Sequence, residues 1–114
     1  MLTPFSNRAT CKACHLKDYE IWEKSGHAHA FETLVKNGSD ADPHCISCHT
    51  IGFGKPSGYR RPMGSGSLVD VGCESCHGPG SKHWEVAGQG KYIVSPSLLT
   101  PEREAVICGQ CHSR

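Results

Sequence analysis

The sequence predicts a mainly α fold with extensive loops and little or no sheet, wrapped around bound groups instead of a large core of its own. Three observations predict it. Cys-x-x-Cys-His occurs four times in 114 residues and uses all eight cysteines. The chain is only 37% hydrophobic and carries 13 Gly and 7 Pro, which is thin material for a self-sufficient core in a domain this small. Helix signals recur along the chain, whereas the one strand-like run, Tyr92-Ile93-Val94, is too short to anchor a sheet.

The four motifs are Cys11-Lys12-Ala13-Cys14-His15, Cys45-Ile46-Ser47-Cys48-His49, Cys73-Glu74-Ser75-Cys76-His77 and Cys108-Gly109-Gln110-Cys111-His112. Cys-x-x-Cys alone also serves zinc sites, disulfides and thioredoxin-like motifs. None of those needs His directly after the second Cys. With eight His in 114 residues, the chance that His follows all four pairs is on the order of one in fifty thousand, which selects c-type haem attachment. The two thiols add to the haem vinyl groups and the next imidazole ligates the iron. Cys11, Cys14, Cys45, Cys48, Cys73, Cys76, Cys108 and Cys111 are thus expected to attach four c-type haems, with His15, His49, His77 and His112 as proximal ligands.

Residues 17–36 read as one helix. Tyr19, Trp22, Phe31, Leu34 and Val35 suit one face, Gly26 weakens its middle, and Asn37-Gly38 stops it. Residues 50–72 hold Gly52, Gly54, Pro56, Gly58, Pro62, Gly64 and Gly66 and read as a loop around a haem edge. Residues 78–81 form a tight turn, and a short helix is expected over 81–87. Thr100 as N-cap, Pro101 at the first helical position and Glu102 at the positive end predict a last helix carrying the fourth motif. Stretches of 30, 24 and 31 residues (15–44, 49–72 and 77–107) separate the motifs, so this is no solenoid period. A single domain, 1–114, is expected, whole or cut from a longer protein. A domain of this length has a radius of gyration of roughly 13 Å, so four porphyrins inside it must nearly touch.

Four irons have eight axial positions, and the chain has eight histidines. After the four proximal ones, His27, His29, His44 and His83 remain as candidate distal ligands. Met63 is a further internal candidate, and Met ligation would raise the potential. The expectation is mainly bis-His, low-potential haem. Tyr19, Trp22, Phe31, Phe53, Tyr59, Trp84 and Tyr92 are candidates to stack on porphyrins, with plain packing the preferred role. Arg60-Arg61 and Lys82 are candidates to neutralise propionates, and Asp70 and Glu74 read as surface or propionate-side residues.

The formal charge is +1, which points to neither nucleic acid nor a membrane surface. Eight propionates add about −8 and four oxidised irons about +4, making the holoprotein mildly acidic, so partners should dock through a local patch. Haem attachment of this type occurs outside the cytoplasm, so a periplasmic or extracellular location is expected. The first residues show no secretory signal and there is no transmembrane stretch.

Several segments resemble the cytochrome c554 family, the tetrahaem acceptors of electrons from hydroxylamine oxidoreductase. Val71-Gly72-Cys73-Glu74-Ser75-Cys76-His77-Gly78-Pro79-Gly80 is similar to the family's third-haem segment. Trp22 with Ser25-Gly26-His27-Ala28-His29-Ala30 resembles its first inter-haem helix. Residues 45–54 resemble its second-haem segment, and Gly58-Tyr59 with Pro62-Met63 the loop after it. The resemblance implies a mostly α fold with haems in packed parallel and perpendicular pairs. It implies His83 as distal ligand of the first haem, His27 of the third, and a second haem without a distal ligand. The family's segment after the fourth motif, which carries the fourth haem's distal His, is missing here. That leaves His29, His44, a neighbouring chain or domain, or nothing for the fourth iron.

Three functions compete. The leading one is electron transfer between redox protein partners. The second is an enzyme, a reductase of nitric oxide, nitrite or hydroxylamine at a five-coordinate haem. The third is a conducting module of a larger multihaem assembly or filament.

Overall fold

The computed structural model describes residues 4–60 and 68–112. Helix α1 (Arg8–Cys14) starts at Asn7, whose side chain accepts from the Ala9 N–H at 2.8 Å. It is followed by α2 (Leu16–Glu23), a 3-10 turn (Gly26–His29) and α3 (Ala30–Lys36). Helix α4 (Pro43–His49) is capped by Asp42, which accepts from the His44 N–H at 2.9 Å. Short helices α5 (Cys73–His77) and α6 (Ser81–Glu85), a 3-10 turn (Pro96–Leu98) and α7 (Pro101–Gly109) complete the order. Among the described residues the only extended pairing is one antiparallel bridge, Thr50 with Val69. The fold is mainly α, as expected.

Two boundaries differ from the sequence reading. The helix expected over 17–36 is broken at Ser25-Gly26 into α2, a 3-10 turn and α3. Ser25 Oγ donates back to the Trp22 carbonyl at 2.6 Å, and such local side-chain bonds compete with the helix ladder. Gly26 adds the entropic cost of glycine in a helix. The expected helix over 81–87 stops at Glu85, where Ala87 takes a positive φ of 52°. The Thr100 cap is present, its Oγ accepting from the Arg103 N–H at 3.3 Å.

The protein core is small. Among the described residues the buried hydrophobics are Ala28, Leu34, Ile46, Ile51 and Tyr59. Leu34, Ile46 and Tyr59 form its centre, with Phe31, Phe53, Leu68 and Val69 packed around them. Phe31 and Phe53 meet the Tyr59 ring at 5.8 and 6.5 Å between centroids, so these three aromatics pack on one another. Trp84, Tyr92, Leu98, Ile21 and Val106 stay exposed. The apolar surface that a polypeptide core would bury is thus turned outward.

Residues 68–72 knit the helices together. Asp70 and Glu74 read from the sequence as surface or propionate-side residues, and the structure corrects the surface alternative for both: their relative exposures are 7% and 6%. Each is buried because its carboxylate meets backbone N–H donors that need an acceptor. Asp70 Oδ1 accepts from the Phe31 N–H at 2.9 Å, and Arg8 Nη1 reaches its Oδ2 at 3.4 Å. Trp22 Nε1 donates to the Val71 carbonyl at 2.7 Å, and the Val71 N–H to the His27 carbonyl at 3.0 Å. Arg60 is exposed, while Arg61 and Met63, candidates for a propionate partner and an axial ligand, lie outside the described residues.

Candidate haem centres

Each motif sits on a helix or its last turn. Cys11 and Cys14 close α1, and His15 follows with its N–H on the Cys11 carbonyl at 2.9 Å. Cys45, Cys48 and His49 lie on α4, and Cys73, Cys76 and His77 span α5. Cys108 ends α7, and Cys111 and His112 follow, with the His112 N–H on the Cys108 carbonyl at 2.9 Å. One helical turn puts both thiols and the imidazole on one side, as two bonds to a porphyrin and one to its metal require.

The motifs meet in pairs. The first and third touch through a Cys11–Cys73 hydrogen bond, which pushes the Cys11 thiol up and holds the Cys73 thiol down. The second and fourth interlock: Cys48 Sγ lies 3.8 Å from the Gln110 carbonyl, and Cys111 Sγ lies 3.8 Å from the Cys48 carbonyl. Burial, then the bond with Cys48, pushes the Cys111 thiol up to about 11. Burial also raises the Cys76 thiol, with the charge of Cys108 adding to it.

The proximal imidazoles are oriented through the backbone. His49 Nδ1 donates to the Ala30 carbonyl at 2.6 Å and His77 Nδ1 to the Val94 carbonyl at 2.6 Å. In that tautomer Nε2 keeps its lone pair for a metal, and the bond raises the basicity of the ring.

Two of the candidate distal histidines face a proximal one. His83 stacks across from His15, with ring centroids 6.4 Å apart and planes 21° from parallel. His27 stands 6.1 Å from His112, at 53°. The resemblance had implied the third haem for His27; its neighbour in the structure is the fourth motif. The His27 carbonyl accepts from the Val71 N–H at 3.0 Å. His29 and His44 are engaged elsewhere. His29 Nδ1 and Nε2 contact Glu32 Oε1 at 3.3 Å and the Glu23 carbonyl at 3.1 Å. Two acceptors call for both ring N–H groups, and the bond with Glu32 is the main cause that raises the His29 pKa. The His44 side chain is 99% exposed, 3.5 Å from Asp42.

The sequence profile of the family described as cytochrome c554 and c-prime matches residues 10–78. The chain belongs to the cytochrome c554 family. It is similar to cytochrome c-554 of Nitrosomonas europaea, with 37% identity over 123 aligned positions, covering 94% of this chain and 52% of that protein. The reduced-state structure of cytochrome c554 from Nitrosomonas europaea matches with a TM-score of 0.63 and 31% identity, over 78% of this chain and 55% of that one. The chain spans about half the length of these relatives.

A cytochrome c554-family chain takes c-type haem, and the residues here fit that group. Two imidazoles that share a metal, each bonded at about 2 Å, have ring centres about 6 Å apart. The two facing pairs stand at that separation. The His83 Nδ1 is buried without a hydrogen-bond partner, an anomaly for a polar atom unless a metal takes its lone pair. A cavity of about 720 Å³ opens at this pair, lined by Cys11, Cys14, His15, Cys73, Glu74 and His83 among others. The residues that sequence reasoning missed are Asp70 and Glu74 as buried anchors. Their signal was weak, because no periodicity or spacing marks a carboxylate that serves distant backbone donors.

Proposed function

We propose that this chain is an electron-transfer module with four covalently bound c-type haems, mostly bis-His and of low potential. The first haem is held between His15 and His83 and the fourth between His27 and His112. The observation that carries this reading is the pair of facing imidazoles at 6.4 and 6.1 Å. Haem c supplies one-electron chemistry when bound. The chain's own residues orient and tune it. Carbonyls fix the tautomers of His49 and His77, and imidazole in place of Met keeps the potential low. Contacts between motifs one and three and between motifs two and four support close haem pairs, so electrons pass without large motions.

His49 and His77 have no facing histidine among the described residues, and His29 and His44 are turned to other partners. In this reading a neighbouring chain or domain would supply the third iron's second ligand, and the second iron would be open. An open iron favours a second reading, reduction of a small nitrogen species. Against it, the buried carboxylates Asp70 and Glu74, the two acid–base candidates, are committed to backbone N–H groups. The proposed setting is the periplasm or outside the cell, with one redox protein as donor and another as acceptor. Among the described residues no helix is long and apolar enough to cross a membrane.

The test is low-temperature electron paramagnetic resonance of the oxidised holoprotein, with haem counted per chain by pyridine haemochrome. Four haems are expected. His83→Ala and His27→Ala should each remove a different low-spin signal and create a carbon-monoxide-binding haem. If neither variant changes the low-spin signals, the axial pairs are wrong. Nitric oxide turnover at the open iron would favour the reductase.

A further inference from the structure

We propose that Glu74, a residue of the third motif, is the positioning residue of the first haem's axial pair and sets the separation of His15 and His83. The inference rests on the reading of those two histidines as that pair. Glu74 lies on α5 between Cys73 and Cys76 and is 6% exposed. Its Oε2 accepts two backbone N–H groups at once, Ser6 at 2.7 Å and Gly80 at 2.7 Å.

Those two donors stand at the roots of the two arms that carry the pair. Ser6 directly precedes Asn7, the cap of α1, and α1 delivers Cys11, Cys14 and then His15. Gly80 is the N-cap residue of α6, where the Trp84 N–H closes on its carbonyl at 2.9 Å and His83 lies one residue earlier. One carboxylate oxygen therefore ties both arms to a single point on α5. Hydrogen bonds to an ionised acceptor are the stronger kind, and the tie is carried to the rings by the capped helix α1 on one side and by the first turn of α6 on the other. The same side chain lines the cavity at His15 and His83, so the first haem is held in a frame built by the third.

Length is what this role demands. Gln keeps the reach of Glu, and its carbonyl oxygen has two lone pairs for the same two donors. Asp keeps the charge and is one methylene shorter, so it cannot hold both donors at hydrogen-bond distance. An electrostatic role gives the opposite order.

The experiment compares wild-type, Glu74→Gln, Glu74→Asp, His83→Ala and His27→Ala holoproteins by electron paramagnetic resonance of the ferric state and carbon monoxide binding of the ferrous state. His83→Ala identifies the first haem's low-spin signal by its loss. Glu74→Asp is expected to shift that same signal or convert it to high spin, with a gain of carbon monoxide binding. Glu74→Gln should leave it in place, and the signal that His27→Ala removes should stay unchanged in both Glu74 variants. A Glu74→Asp chain that takes up no haem while Glu74→Gln loads fully is the same result at its limit. An undisturbed first-haem signal in Glu74→Asp overturns the proposal, as does a Glu74→Gln chain that is equally disturbed or fails to load. If His83→Ala itself removes no low-spin signal, the axial pair falls, and with it the premise.

Discussion

Asp70 adopts a positive φ of 72° while its two carboxylate oxygens serve Phe31 and Arg8. That conformation is costly for most side chains, but Asn and Asp tolerate it. Asp70→Asn should keep the backbone and the Phe31 bond and lose only the partly buried charge pair, at about 1–2 kcal/mol. Asp70→Ala also orphans the Phe31 N–H and strains the backbone, at about 3–4 kcal/mol. Denaturant unfolding of the two holoproteins checks the order, and equal losses would show that the Phe31 bond carries no weight. None of this was legible at residue scale in the sequence. The cysteines and proximal histidines declare themselves because their spacing is local. Which distal histidine meets which motif depends on contacts across the fold, such as Val71 with His27. His27 and His29 lie two residues apart, yet one faces His112 and the other bonds Glu32 and Glu23.

At the scale of elements, local chemistry was readable where it is self-contained. The Thr100 cap, Pro101 and the helix behind them follow from three adjacent residues. The break at Ser25-Gly26 was only hinted at, because the Trp22 indole is held from outside by the Val71 carbonyl. Two glycines separate these cases experimentally. A Cβ at Gly26 would meet nothing within 4 Å, so Gly26→Ala should be tolerated and gain about 0.5 kcal/mol by restricting the unfolded chain. A Cβ at Gly58 would run into the Gly52 carbonyl. Tyr59 beside it donates its N–H to the Ile51 carbonyl at 2.8 Å and is buried against Phe31 and Phe53. Gly58→Ala should therefore displace the loop that follows the second motif and cost several kcal/mol, on the order of 3, as overpacking does. Thermal unfolding of both holoproteins measures the contrast, and a harmless Gly58→Ala would mean that this turn is not held as described.

Across the whole molecule, the radius of gyration is 14.0 Å, close to the size expected for a compact domain of this length. Yet compactness is not matched by burial. Ile21, Leu98 and Val106 are 72%, 84% and 70% exposed, and the buried hydrophobics cluster around α3, α4 and the Tyr59 turn. The first, third and fourth motifs have little of that cluster beneath them. Their helices are short, and isolated helices of such length do not hold themselves together in water. What would order them is bound porphyrin, with apolar faces to cover side chains and facing histidines from two segments, such as His15 with His83, to join one helix to another. It follows that a chain with all eight attachment cysteines replaced by serine should keep part of its helix signal and show no cooperative melting. The holoprotein should melt in one sharp transition. Calorimetry of the two proteins decides the matter: a cooperative transition in the haem-free chain would show that the small core around Leu34, Ile46 and Tyr59 is sufficient by itself.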